Sequence, residues 1–221
     1  MIKIAKAKYT RQSSIINIKD YGDNNITIIG CGAIGSFTSV SLAKMGLTNF
    51  TLYDMDTVEE HNLPNQFFME KDVSKLKTVA TTEHMMSFNS DCNIKQNLKF
   101  TEKTKLSSQI VISCVDKMDV RKLIFQKCKE NKNVQLLIDG RMGGLQGQLY
   151  TVNMTNKQEV ENYEKSLFGN KDAVSLRCTE RSIIFTVLGI ASLICNQIVK
   201  ALNGDELSNY IVLDYSVPQM M

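Results

Sequence analysis

The sequence predicts an α/β fold: a doubly wound sheet flanked by helices, with a parallel N-terminal half and antiparallel C-terminal strands. Three observations carry that expectation. Apolar runs alternate with helical patterns from Ile26 to Ile138. A glycine turn, GCGAIGS, joins the first apolar run to the first helical pattern. After Ile138 the rhythm breaks into the glycine-rich DGRMGGLQGQLYTV, which ends in an alternating run unlike the strands before it. Strands interleaved with helices imply crossover units and parallel pairing. The late change of pattern implies strands that leave that scheme.

The elements follow in chain order. Ile26–Ile29 reads as a strand, Ala33–Met45 as a helix, Phe50–Tyr53 as a strand and Ser74–Asn89 as a helix. A strand is expected near Ile94–Leu98 and another at Gln109–Cys114. A helix should run from Met118 to Lys129, and a strand from Gln135 to Ile138. Gln146–Val152 alternates with period two and reads as a strand. The polar stretch from Asn153 to Lys171 reads as a loop or lid. Ser182–Ala201 is apolar on most faces and reads as a buried helix, and Tyr210–Asp214 closes the chain as a short strand. At 221 residues the chain accommodates one sizeable core rather than two. The expected organisation is a single domain with an N-terminal arm at 1–25, a nucleotide-binding half at 26–140 and an acceptor-side half at 141–221. A crossover loop at about 153–178 interrupts the last of these.

Composition narrows the function. Hydrophobic residues make up 43% and charged residues 22%, as in soluble globular chains. A net charge of +3 supplies no broad field for nucleic acid, so a nucleic-acid partner is not expected. The N-terminus MIKIAKAKYTRQ has no apolar signal stretch, which predicts a cytoplasmic protein with reduced thiols and no membrane partner. Six cysteines, Cys31, Cys92, Cys114, Cys128, Cys178 and Cys195, form no C-x-x-C pair, so no structural zinc is expected. His61 and His84 lack a second ligand at metal spacing.

Gly30-x-Gly32-x-x-Gly35 stands between a strand and a helix, the context in which such a turn holds a nucleotide. Gly30 allows the tight turn, Gly32 lets a phosphate approach the backbone, and Gly35 lets helix and strand pack closely. Ala33 and Ile34 open the helix, whose N-terminus carries a partial positive charge. Asp54 ends the next strand and is placed to accept hydrogen bonds from ribose hydroxyls. The fold expected from this unit is Rossmann-like. The turn alone leaves NAD, FAD, S-adenosylmethionine and ATP open.

The residues after Asp54, DMDTVEEHNLPNQFF, answer to no need of hydride chemistry. Here the sequence resembles the ThiF/MoeB/HesA family, bacterial relatives of ubiquitin-activating enzymes. The elements that carry the resemblance are Asp54, Asp56, Val58-Glu59, Asn62-Leu63 and Gln66, followed by Lys77 in VSKLKTVA and Asp116 in VISCVDKMDVRK. Upstream, Tyr9-Thr10-Arg11-Gln12 is similar to the short family motif that gives an arginine to the partner subunit's site. The resemblance covers most of residues 9 to 214 and is weakest between Asn153 and Arg177.

What the resemblance implies is ATP- and Mg²⁺-dependent adenylylation of a carboxylate by a homodimer. The acceptor would be the C-terminal glycine of a ubiquitin-like protein or peptide. The nucleophile is already ionised at neutral pH, so the site needs cations rather than a proton relay. By resemblance Lys77 approaches the phosphates, Asp116 holds Mg²⁺, Asn62 donates to a phosphate oxygen, and Arg11 arrives from the other protomer. Asp56, Asn65 and Gln66 complete the nucleotide-facing set, with Asp56 and Glu59 equally readable as turn acids. Asn65 stands where the family usually carries an arginine, a loss of charge that can cost about a hundredfold in rate. Cys178, between Arg177 and Arg181, falls where some relatives carry a cysteine and is the candidate acyl or persulfide carrier. The other cysteines read as buried packing residues. A non-catalytic nucleotide-binding relative, a tRNA-modifying dehydratase of the same superfamily and an NAD-dependent oxidoreductase are the alternatives.

Overall fold

A computed structural model describes residues 8–16, 24–167 and 182–217. The strands are β1 (Asn25–Ile29), β2 (Asn49–Tyr53), β3 (Asn93–Asn97), β4 (Ile110–Ser113), β5 (Leu136–Gly143), β6 (Gln146–Asn153) and β7 (Tyr210–Asp214). They form one seven-stranded sheet in the order β3-β2-β1-β4-β5-β6-β7. The pairs from β3 through β5 are parallel, and β5–β6 and β6–β7 are antiparallel. The expected division into a parallel half and an antiparallel half is therefore the observed one.

Helices cover both faces. They are α1 (Ala33–Lys44), α2 (Lys77–Phe88), α3 (Met118–Glu130), α4 (Lys157–Lys165) and α5 (Ile184–Asn203). Alternation along the parallel strands sorts the core into two layers, because successive side chains point to opposite faces. Ile26 and Ile28, Ile110 and Ile112, and Leu136 and Ile138 pack with Val40 and Leu42 of α1, Met85 of α2, and Ile190 and Ile194 of α5. Ile29, Val111 and Leu137 face the other way, onto Ile124, Phe125 and Cys128 of α3 and Tyr163 of α4. The apolar helix α5 spends its buried face, Ile190, Ile194 and Ile198, on the first of these layers.

The observed elements differ from the expected ones at three places. Helix α2 begins at Lys77 instead of Ser74, because Ser74 has φ +72°, a left-handed conformation that no helix continues. Strand β5 runs five residues past Ile138, to Gly143, where it turns into β6 as a hairpin. The stretch from Asn153 to Lys171, expected as a loop, contains α4. That helix is capped by Asn156, whose side chain accepts from the N–H groups of Gln158 (3.1 Å) and Glu159 (3.4 Å). Of its residues only Tyr163 is buried, so it carries almost none of the apolar periodicity by which a helix is recognised.

The strand order reverses at β1: β2 lies on one side of it and β4 on the other. In open α/β sheets ligands bind outside the carboxyl ends of the strands at such a switch point. Gly30 and Asp54 directly follow β1 and β2 at that edge, and Asp116 stands three residues past the end of β4.

Candidate nucleotide site at the switch point

The glycine turn is built for close approach. Gly30 has φ +93°, and a Cβ there would stand 2.6 Å from the carbonyl oxygen of Cys114. A Cβ on Gly35 would stand 1.8 Å from the carbonyl oxygen of Gly30, so any side chain would drive α1 off the strand. A Cβ at Gly32 meets nothing within 4 Å. Open space thus lies over the one glycine that the phosphate role requires to be approachable. Gly32 caps α1 without a side-chain acceptor, and the N–H groups of the first turn have no intrahelical partner. A helix start with bare donors and a positive dipole end is an anion site.

Asp54 is folded back onto that turn. Its Oδ2 accepts from the Cys31 N–H at 2.7 Å and its Oδ1 from the Asp56 N–H at 2.9 Å. Burial pushes its carboxyl pKa up, while those two N–H donors and the charge of Lys77 pull it down less strongly. A carboxylate held in this state gains from added donors, which ribose hydroxyls supply.

Lys77 is the most informative placement. Taken alone it reads as an exposed helix lysine, yet only 8% of its surface is accessible. It is the first residue of α2, where a cation opposes the helix dipole. Its one ion-pair partner among the described residues, Asp56, lies 3.2 Å away and is largely exposed. The Asp56 carbonyl also accepts from the Lys77 N–H at 2.9 Å, which fixes the two residues together. A desolvated ammonium at the wrong end of a helix costs stability, and such local conflicts concentrate at functional sites.

The loop that follows Asp56 is tied to the same corner. Asn62 is buried, and its Oδ1 accepts from the Glu59 N–H at 3.0 Å, which leaves the amide NH₂ as the donor to offer a ligand. The Phe67 N–H donates to Ser36 Oγ at 2.9 Å and pins this loop to the first turn of α1. Asn65 Nδ2 donates to Ser182 Oγ at 2.7 Å. Asn65 Oδ1 and Gln66 Oε1 are buried without a hydrogen-bond partner among the described residues. Asp116 is exposed just past the end of β4, and the Cys114 N–H donates to the Ile29 carbonyl at 2.8 Å to hold that edge beside the glycine turn.

Arg11 is not brought to this corner. The short 3₁₀ turn Thr10–Gln12 lies against the far ends of the helices: Gln12 Nε2 donates to the Met45 carbonyl at 2.6 Å, and Asn203 Nδ2 to the Ile15 carbonyl at 2.8 Å. Met45 caps the C-terminus of α1, about 18 Å of helix away from the glycine turn. Cys178 lies outside the described residues. The thiols of Cys31 and Cys114 are raised by burial, as are those of Cys92 (to about 11), Cys128 (to about 12) and Cys195 (to about 12). None of these five offers a ready thiolate.

Sequence reasoning missed the buried ionic cluster beside Asp116. Asp139, fully buried in β5, accepts from Arg121 Nε at 2.7 Å, Arg141 Nε at 2.7 Å and Tyr163 OH at 3.1 Å. Arg121 also donates to the carbonyl of Val115, the residue before Asp116. Arg141 donates to the Ser166 carbonyl and hydroxyl and stacks 4.3 Å over the Tyr150 ring. The signal was present in Asp139 and Arg141, two charges inside an otherwise apolar strand. Unpaired charges do not survive burial, so each predicted a partner.

Comparison with known proteins shows a family and a shared fold. The family model described as "ThiF family" matches residues 12–220. A ubiquitin-like modifier-activating enzyme 5 from Oryza sativa subsp. japonica is 30% identical over 138 residues, which cover 54% of this chain and 33% of the relative. A tRNA threonylcarbamoyladenosine dehydratase from Haemophilus influenzae is 28% identical over 127 residues, 54% of this chain and 48% of the relative. These matches span between a third and a half of the curated relatives. The crystal structure of E. coli MccB with ATP superposes with a TM-score of 0.77 at 17% identity, over 96% of this chain and 69% of that one.

Proposed function

The chain belongs to the ThiF family, and we propose that it activates a carboxylate with ATP, as an acyl-adenylate, with release of pyrophosphate. The observation that carries this reading is Lys77, a buried cation held beside Asp54 and Asp56 at the glycine turn. Hydride transfer to or from NAD has no use for it; a phosphoryl transition state does.

In this reading a carboxylate oxygen of the acceptor attacks the α-phosphorus of ATP. One O–P bond forms, the bond from the α-phosphorus to the bridging oxygen breaks, and the electron pair leaves with pyrophosphate. No proton moves. Asp54 orients the ribose, the first turn of α1 donates N–H groups to phosphate oxygens, and the Asn62 amide NH₂ adds another donor. Lys77 exchanges its exposed partner Asp56 for the phosphates and so balances charge where it builds. Asp116 suits Mg²⁺ as an exposed hard-oxygen ligand. The described residues hold no cluster of three or more metal-binding side chains, so the remaining ligands would be phosphate oxygens and water. When bound, the ion would neutralise charge on the phosphates.

Two carboxylate classes compete as acceptor. The activating-enzyme relatives favour the C-terminal glycine of a ubiquitin-like protein or a peptide, met as a homodimer through Arg11 of a second protomer. The dehydratase relative favours a modified tRNA base, against which the net charge of +3 weighs. Exchange of labelled pyrophosphate into ATP separates them. Stimulation by a peptide ending in a free glycine carboxylate supports the first, and stimulation only by tRNA supports the second. Tight ATP binding with no exchange under any acceptor would sink the catalytic reading and leave a nucleotide-binding protein. Asp116→Ala should abolish the Mg²⁺-dependent exchange.

A further inference from the structure

Asn65 makes a hydrogen bond that a phosphate-binding role does not explain. Its Nδ2 reaches Ser182 Oγ at 2.7 Å, across 117 positions of sequence. On one side of this bond is the nucleotide loop: the N–H groups of Asn65 and Gln66 both donate to the Asn62 carbonyl (3.2 and 3.0 Å), and Phe67 is pinned to Ser36 in α1. On the other side is the tip of the β5–β6 hairpin. Ser182 forms a parallel bridge with Gly144, the Thr186 hydroxyl donates to the Gly144 carbonyl at 3.1 Å, and the Tyr215 N–H donates to the Leu145 carbonyl at 3.0 Å. One side-chain pair therefore joins the loop on the parallel half of the sheet to the hairpin on the antiparallel half.

Among the described residues the Asn65 Oδ1 is buried without a partner, as is Oε1 of the adjacent Gln66. As placed the free end is the acceptor Oδ1; turned over, the amide accepts at Oδ1 from the Ser182 hydroxyl and presents its NH₂, a donor, at the unmatched end. A buried amide with one end bonded and the other orphaned is unstable against alternatives, and a group that matches the orphan selects the bonded state. Two residues along, Phe67 pins the same loop to Ser36 in the first turn of α1, the helix that the glycine turn opens.

We propose that Asn65 is a positioning residue that couples occupancy of the nucleotide site to the β5–β6 hairpin through Ser182. The occupant is taken to be ATP, so the proposal rests on the reading above. With a nucleotide bound, the NH₂ of the turned amide donates to a phosphate oxygen, Oδ1 accepts from the Ser182 hydroxyl, and the hairpin tip is held with it. Where the resemblance leads to an arginine, the asparagine of this chain then trades charge for a mechanical link.

Backbone hydrogen exchange in peptides that cover Gly143–Gln148, with and without ATP and Mg²⁺, tests the coupling, and titration calorimetry on the same samples reads ATP affinity. ATP should slow exchange at the hairpin about fivefold in the wild type, the scale of one added hydrogen bond. Ser182→Ala should bind ATP about fivefold more weakly, the reciprocal of the same coupling, and lose the slowing, whereas Ser182→Thr, which keeps the hydroxyl, should retain it. Undiminished slowing in Ser182→Ala overturns the proposal, as does wild-type protein that binds ATP with no change at the hairpin. Absence of any heat of ATP binding to the wild type also overturns it, and by that separate readout removes the nucleotide reading too.

Discussion

Asp139→Asn should unfold the protein at a markedly lower temperature, although it removes no atom and creates no cavity. The carboxylate receives three donors, Arg121 Nε, Arg141 Nε and Tyr163 OH, divided between its two oxygens. An amide has a single oxygen. In either orientation its NH₂ group faces donors, and one guanidinium is left buried with a lost acceptor. Breaking a buried ion pair from one side costs about 3–5 kcal/mol. The lower end applies here, because Arg141 keeps the Ser166 carbonyl and hydroxyl as acceptors. Unfolding entropy of about 2.1 cal/mol/K per residue gives about 0.46 kcal/mol/K for the 221-residue chain. A loss of about 3 kcal/mol thus lowers Tm by about 6–7 °C. Thermal unfolding followed by circular dichroism checks the value, and a double-mutant cycle with Arg121→Met checks the mechanism. The two changes must fall well short of additive, since each breaks the same pair. A drop under about 2 °C, or full additivity, would refute the reasoning.

Other variants address the site itself. Lys77→Met should cost about 2–4 kcal/mol in the transition state of pyrophosphate exchange, between thirtyfold and a thousandfold. Its Tm should hold or rise, since a buried cation leaves a helix N-terminus; unchanged exchange would remove Lys77 from the site. Asp54 has a raised carboxyl pKa, so in the folded state its charged form is disfavoured relative to the unfolded chain. The penalty is absent below the unfolded value and grows as pH rises through the folded one. The stability of wild type relative to Asp54→Asn should therefore decline from pH 3 toward pH 7, and a difference that grows with pH would contradict the assigned burial. Titration with a thiol reagent at pH 8 should leave Cys31, Cys92, Cys114, Cys128 and Cys195 slow to react, because burial raises each of them. A fast-reacting thiol would then be Cys178, and Cys178→Ser should remove it; a fast phase that survives the substitution would contradict this.

Much of the fold was readable because it rests on periodicity. Strands β1 and β4, buried on both faces, are largely apolar runs set between helical patterns, and that rhythm is visible without coordinates. The glycine turn was readable because Gly30 and Gly35 answer to backbone collisions that no other residue tolerates. Helix α4 was hidden, since an element that buries a single tyrosine has almost no pattern to show. The start of α2 was misplaced by three residues because a left-handed serine has no composition signal. The site divided in the same way. Asp54, Asn62 and Lys77 could be named from their place in a pattern, but the burial of Lys77 could not. Nor could the bond from Asn65 to Ser182, which depends on how two distant segments meet.

The position of Arg11 has a kinetic consequence. Held near the far ends of α1 and α5, it cannot serve the glycine turn of its own chain. If it serves any nucleotide, that nucleotide is bound to another molecule, and the turnover of each chain becomes a bimolecular property. Dilution would then silence the enzyme without unfolding it. Mixing an Arg11→Ala chain with a Lys77→Met chain would then raise activity well above the residual rate of either component alone.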